Sequence, residues 1–236
     1  MKIHVESENI NAMIERQLKL WETQKKISEK KLEEENQPKL LITISRAMGS
    51  MGEEVAAKLS QLTGFQLFDK EIMEAIAKNS GVQTKIVELL DEETKSDLMH
   101  WLKGTLKGEI FGRSDYIKSL TRSIGSIMKH GNAILVGRGA NVIIGMKRGF
   151  NLRIVGSFKT RVERVAQKMN ISQKEAEKLV RKSDKGRAIF IKTSFGMHSG
   201  DPSFFDMVLN TDCLDLDDTV ELALLAYSKK KHHMAK

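Results

Sequence analysis

The stretch Leu40-Leu41-Ile42-Thr43-Ile44-Ser45-Arg46-Ala47-Met48-Gly49-Ser50-Met51-Gly52-Glu53-Glu54 decides the fold. It passes from an apolar run to a glycine-bearing turn, then to a helical pattern at Val55, Ala56 and Leu59. A continuous apolar run suits a strand buried on both faces, the habit of parallel sheets. The turn therefore stands where phosphate loops stand, with backbone amides and a helix N-terminus converging on an anion. Glycine lets such a backbone curl closely around phosphates. The full G-x-x-x-x-G-K-[ST] pattern is absent, because Glu53 and Glu54 follow Gly52. Glu54 falls roughly where the magnesium-binding hydroxyl normally sits, which makes it a candidate metal ligand. Taken alone, a plain strand–helix turn explains the segment as well.

Outward from this segment the chain alternates. Gly64 closes the first helix, and Phe65 to Phe68 reads as a second strand. Helical patterns fill Lys70 to Lys129, with breaks expected at Gly81, Gly104, Gly108 and Gly112. Ala133-Ile134-Leu135-Val136, Leu152 to Val155 and Asp206 to Asn210 read as further strands. Charged helices run from Lys159 to Lys192, and Asp217 or Asp218 is expected to cap a last helix through Tyr227. Strands alternating with helices specify a parallel sheet covered on both faces, with ligands beyond the carboxyl ends of its strands. Before Pro38 the chain is polar, with Ile10, Ile14, Leu18 and Trp21 on one helical face. That stripe predicts an arm over residues 1–38 docked on a main domain over 39–236. A dimerising coiled coil has too few heptads.

Composition narrows little further. The chain has 236 residues, 40% of them apolar and only 6% aromatic, so aliphatic side chains and Met must fill the core. A net charge of +8 favours an anionic partner without choosing one. Nucleic-acid binding is disfavoured, because no recognition motif or aromatic platform accompanies the charge. One cysteine, Cys213, excludes an intramolecular disulfide. No apolar stretch approaches the ~20 residues of a membrane span, and no signal core is seen. The expectation is a cytoplasmic protein without a membrane partner; whether it forms a homodimer stays open.

Several motifs occur in order between Leu40 and Ala226. Ile42-Thr43-Ile44-Ser45-Arg46 with Gly49-Ser50-Met51-Gly52 and Glu54 resembles the I-T-I-S-R-x-x-G-S-G-G-x-E opening of the cytidylate kinase-like family. Phe68-Asp69-Lys70-Glu71 is similar to its F/Y-D-K-E signature, and Gly137-Arg138-Gly139-Ala140-Asn141 to its G-R-G-A-N turn. Arg161 to Val165 resembles the E-R-x-x-R region of true cytidylate kinases, and Lys182 to Arg187 the K-x-D-x-x-R lid. Gly200-Asp201-Pro202 with Asn210-Thr211 resembles the closing segment.

The resemblance implies an α/β P-loop kinase-like three-layer fold with a five-stranded parallel sheet flanked by helices. It further implies an acceptor-binding helical insert at about 70–130 and a lid at about 170–200. The implied activity is transfer of the ATP γ-phosphate to a nucleoside monophosphate such as CMP, with Mg2+ bridging the donor phosphates. Ser45, Arg46, Gly49, Ser50, Gly52 and Glu54 would hold the donor. Asp69, Gly137, Arg138, Arg161 and Arg164 would hold the acceptor, while Asp184, Lys185 and Arg187 would close over the donor and neutralise developing charge.

The residues carry their own reading. Guanidinium groups grip phosphate oxygens in pairs and stay charged. Arg46 lies inside the loop and could supply the charge of the missing lysine. Arg138 stands between glycines just past a buried strand, where few structural reasons for arginine exist. Arg161 and Arg164 fit a solvated helix face as readily as a site, and Asp69 fits a helix N-cap. Met99 and Trp101 read as core. Departures from the family pattern are Met51 for a glycine, Glu53 for a basic residue, and Ser183, Lys185 and Gly186 within the lid. They leave a catalytically impaired nucleotide-binding regulator as the alternative.

Overall fold

The computed structural model describes residues 7–28, 40–90, 92–106 and 114–234. Pro38, Gly108 and Gly112 lie outside them, as does the boundary expected between arm and domain. In chain order the elements are α1 (Ser7–Ser28), β1 (Leu41–Arg46), α2 (Gly52–Thr63), β2 (Gln66–Phe68), α3 (Lys70–Lys78), α4 (Ser80–Glu88), α5 (Glu92–Leu106) and α6 (Asp115–His130). There follow β3 (Ala133–Val136), α7 (Ala140–Ile144), β4 (Gly149–Val155), α8 (Phe158–Met169), α9 (Gln173–Phe195), a short 3-10 turn, β5 (Met207–Asn210) and α10 (Leu216–Met234).

All strand pairs are parallel, in the order β2-β3-β1-β4-β5, so β1 lies at the centre. Side chains alternate across the sheet as a period of two requires. Leu41 and Leu135 join a core with Ile72, Ile76, Ile124 and Ile127 beneath α3 and α6. Ile42, Ile44, Ile134 and Val136 join the opposite core with Val55, Leu59, Val220 and Ala223 of α2 and α10. Those two cores make the three layers of an α/β P-loop kinase-like fold. Thr43 and Asn151, polar and buried in adjoining strands, satisfy each other through a 2.6 Å hydrogen bond. No described helix is long and apolar enough to cross a membrane.

Several local expectations are corrected. Gly81 sits in the first turn of α4, and Gly104 lies within α5. The last helix is capped by Asp215, whose Oδ1 accepts from the Asp218 N–H at 2.8 Å. The charged stretch after Lys159 divides at Asn170, which adopts φ +51° between α8 and α9. Met99 is exposed, whereas Trp101 is half-buried against the core. On the arm, Ile14, Leu18 and Trp21 are buried, and Trp21 stacks on His130 with ring centroids 3.9 Å apart.

Candidate functional site

The chain moves from β1 out to β2 and β3 on one side, then to β4 and β5 on the other. The crevice at that reversal is where open α/β sheets bind ligands. Two turns border it. Ile44 pairs with Val136 in register, and the Gly137 N–H donates to the Ile44 carbonyl at 3.0 Å. Arg46 and Arg138 therefore leave adjoining strands at matched height.

The first turn, residues 47–51, is anchored from behind. Ser50 is fully buried, and its hydroxyl lies 2.9 Å from the Ala47 carbonyl and 3.1 Å from that of Ile154. Its side chain thus pins the loop. Gly49 has φ +78°, and a Cβ there would fall 2.5 Å from the Arg161 carbonyl oxygen. Met51 enters α2 at φ +61° with no side-chain cap. The first amides of a helix lack intrahelical partners, and a carboxylate or phosphate suits them. Gly52 is closed against the Arg46 side chain, where a Cβ would lie 2.4 Å from the Arg46 Cβ.

Four arginines surround this loop. Arg46 is almost enclosed, meets Glu53 at 3.4 Å and leaves a buried Nε without a partner. Its Nη1 lies so close to Gly137 that a Cβ there would stand 2.2 Å away, so Arg46 reaches across to the second turn. Arg187, from α9, donates to the Arg46 carbonyl at 2.8 Å. Burial, with Arg46 nearby, lowers its pKa to about 10, which leaves it charged at neutral pH. Arg161 donates to Gly156 O at 3.0 Å, Met48 O at 3.1 Å and Asp184 Oδ2 at 2.8 Å. Asp184 also reaches the Met48 N–H at 3.5 Å, the outer limit of a hydrogen bond. Arg153 bonds Ser45 Oγ at 3.1 Å, and burial lowers its pKa. The sequence reading missed Arg153; a lone cation inside the apolar strand β4 was its signal.

The second turn presents Arg138 at φ +53° between Gly137 and Gly139, both also at positive φ. Arg138 pairs with Glu74 of α3, and its guanidinium lies 5.1 Å from the centre of the Phe190 ring. Its Nε is buried without a partner. These residues line a cavity of about 400 Å³ with Ser114, Tyr116, Ile117 and Ser194. Glu74, Tyr116 and Phe190 were not singled out in the sequence. Phe190 follows Arg187 by three residues on α9, a spacing that puts both on one face.

The remaining candidates stand as follows. Asp69 caps α3, accepting from the Ile72 N–H at 2.9 Å. Arg164 turns to Thr211, with bonds of 2.9 Å to its hydroxyl and 2.6 Å to its carbonyl. Lys185 is exposed on α9. The stretch expected to form a lid is this single helix, which touches the first turn through Asp184 and Arg187 and the second through Phe190 and Phe195. Glu54 is paired with Lys168. Among the described residues no three acidic, histidine or cysteine side chains gather to hold a metal. Magnesium is commonly held by one or two carboxylates together with substrate phosphates, so Glu54 would be its single protein ligand here, in exchange for Lys168.

Residues 41–213, more than half of the chain, match the model of the cytidylate kinase-like family. No curated protein matches the sequence significantly. Among solved structures, an uncharacterized protein from Eubacterium ventriosum is similar at a TM-score of 0.56 and 20% identity, over 80% of this chain and 98% of that one. A shikimate kinase from Acinetobacter baumannii bound to shikimate aligns at a TM-score of 0.43 and 15% identity, over 83% of this chain and 96% of its own. A sugar kinase from Janibacter sp. aligns at 0.43 and 14%, over 84% and 99%. The first likeness is one of fold; the two kinases align too loosely to add to it.

Proposed function

We propose that this chain, which belongs to the cytidylate kinase-like family, transfers the γ-phosphate of ATP to a nucleoside monophosphate of the CMP type. The observation that carries the reading is the register-matched pair Arg46 and Arg138. One stands beside the N-terminus of α2, whose first amides have no intrahelical partner, and the other lines a cavity large enough for a small acceptor.

Phosphoryl transfer asks mainly for positioning and for positive charge around the migrating group. The amides of residues 51–54 would take the donor phosphates, and Arg46 and Arg187 would lie beside them. Arg138 would take the acceptor phosphate. An acceptor oxygen then attacks the γ-phosphorus, and the β–γ bridging oxygen leaves with ADP. The acceptor is already an anion, so the step needs no general base. Asp184 and Arg161 act from behind the loop by fixing Met48, while Lys185 adds exposed charge. Magnesium would supply charge neutralisation at the donor phosphates, with Glu54 as the residue that would hold it, and no step here depends on it.

A catalytically impaired regulator is the second reading. It is favoured by Glu53 against Arg46 and by the Asp184 carboxylate at a loop amide, where an anion from the protein itself already stands. Calorimetric titration with ATP and CMP, paired with a coupled turnover assay, separates the two. Arg138→Ala removes charge-assisted bonds typically worth about 1.5–3 kcal/mol each. It should weaken CMP at least tenfold, since about 1.4 kcal/mol is tenfold, and leave ATP nearly unchanged. Arg46→Ala should weaken ATP more than CMP. Equal loss of both ligands in both variants would refute a two-site kinase, and binding without turnover would favour the regulator.

A further inference from the structure

The cavity beside Arg138 contains an anion that belongs to the protein. Glu74 projects from α3 and takes Arg138 Nη2 in an ion pair whose side chains are only 25% and 19% exposed. Any acceptor phosphate that bound Arg138 through the same edge would have to displace this carboxylate. Displacement would leave Glu74 close to a phosphate, partly buried and without its cation. Such a charge is costly unless a new donor satisfies it.

The same cavity supplies one. Tyr116, in the first turn of α6, lines it with Glu74 and Arg138. Burial raises the Tyr116 pKa, with Arg138 pulling it down and Glu74 pushing it up, so both charges act on this phenol. A protonated phenol is a donor that a released carboxylate can accept. Arg138 itself is held imperfectly, with Nε buried and unpartnered and the guanidinium parked over Phe190. An unpaired buried donor favours exchange for a partner that engages more of the fork.

We propose that Glu74 is a built-in competitor for the acceptor's phosphate monoester, and that Tyr116 receives the Glu74 carboxylate when that phosphate takes Arg138. Both are positioning residues, and the proposal rests on the acceptor reading of this cavity given above. It makes three side chains one exchange unit: ligand-free, Arg138 on Glu74; ligand-bound, Arg138 on phosphate and Glu74 on Tyr116. The signs of their substitutions are therefore opposed, which loss of packing does not produce.

Calorimetric titration of the full chain with CMP tests this, with cytidine as the uncharged control. Glu74→Gln keeps the shape and removes the competing charge, so CMP should bind about fivefold tighter, in line with a partly exposed ion pair. Tyr116→Phe removes the receiving hydroxyl, so CMP should bind about three- to fivefold more weakly. In the Glu74→Gln background, Tyr116→Phe should change CMP affinity less than twofold, because no charge is left to receive. Cytidine binding should be the same in all four proteins. Weaker CMP binding by Glu74→Gln, or equal Tyr116→Phe effects in both backgrounds, overturns the exchange while leaving the acceptor reading standing. If neither the wild type nor Glu74→Gln binds CMP, both fall together.

Discussion

Arg161→Met separates a strut from a substrate ligand. The Arg161 side chain is only 10% exposed and places three hydrogen bonds, to Gly156, Met48 and Asp184. Hydrogen bonds from a charged group are typically worth about 1.5–3 kcal/mol, but these three share one guanidinium and do not add fully. Methionine keeps an unbranched aliphatic stem, so lost packing is a minor part. The expected cost is about 3 kcal/mol of unfolding free energy, or a fall in Tm of roughly 6–12 °C for a domain of this size. Urea denaturation and thermal melts without nucleotide measure it directly. Asp184→Asn, which keeps an acceptor oxygen and removes the charge, should cost about 1 kcal/mol, and the double variant less than the sum. A loss below about 1 kcal/mol for Arg161→Met, together with abolished CMP binding, would show that Arg161 serves the ligand and that the strut reasoning is wrong.

Two further predictions concern stability. Gly64 and Gly139 share nearly the same positive φ, but a Cβ at Gly64 meets nothing within 4 Å whereas one at Gly139 would lie 2.3 Å from the buried Phe195 ring. Gly64→Ala should therefore cost about 1 kcal/mol and Gly139→Ala about 2–4 kcal/mol by urea denaturation; equal costs would refute the crowding argument. Tyr227 is buried and donates to the Leu40 carbonyl at 3.1 Å, and burial raises its pKa from 10.0 to about 12. Between those values the folded state holds the proton that the unfolded state releases, so this contribution is full below pH 10 and lost as pH rises through 12. The loss should reach about 2–3 kcal/mol. Tyr227→Phe should flatten the fall in stability from pH 10 to 12, and an unchanged slope would assign it to other groups.

The central sheet was legible in the chain because its strands are short apolar runs between breakers. Leu40 to Ile44 and Ala133 to Val136 need burial on both faces, and only a covered parallel sheet provides it. The two turns were legible for a similar reason. Gly49, Gly52, Gly137 and Gly139 sit where a Cβ would strike a neighbour or the backbone turns to positive φ. Boundaries were less secure. Asp215, Asp217 and Asp218 are all acceptable N-caps by residue type, and only the geometry of the entering chain chose Asp215.

What the sequence by itself determined is the layered α/β order, the family, and the presence of arginines at the ends of β1 and β3. Those properties reside in local patterning and in the spacing of motifs along the chain. Tertiary structure decided what each charged side chain faces. Arg138 meets Glu74 across 64 residues of chain, Arg161 meets Met48 across 113, and Arg187 meets the Arg46 carbonyl across 141. No periodicity encodes such pairings, because they arise when the sheet order brings separate strand ends to one crevice. The same applies to Ser50 and Glu54, which sit in the phosphate-loop motif but turn, in the fold, to Ile154 and Lys168. A motif specifies the backbone path of a loop. Which of its side chains are left to meet a ligand depends on the neighbours that the rest of the chain packs against it.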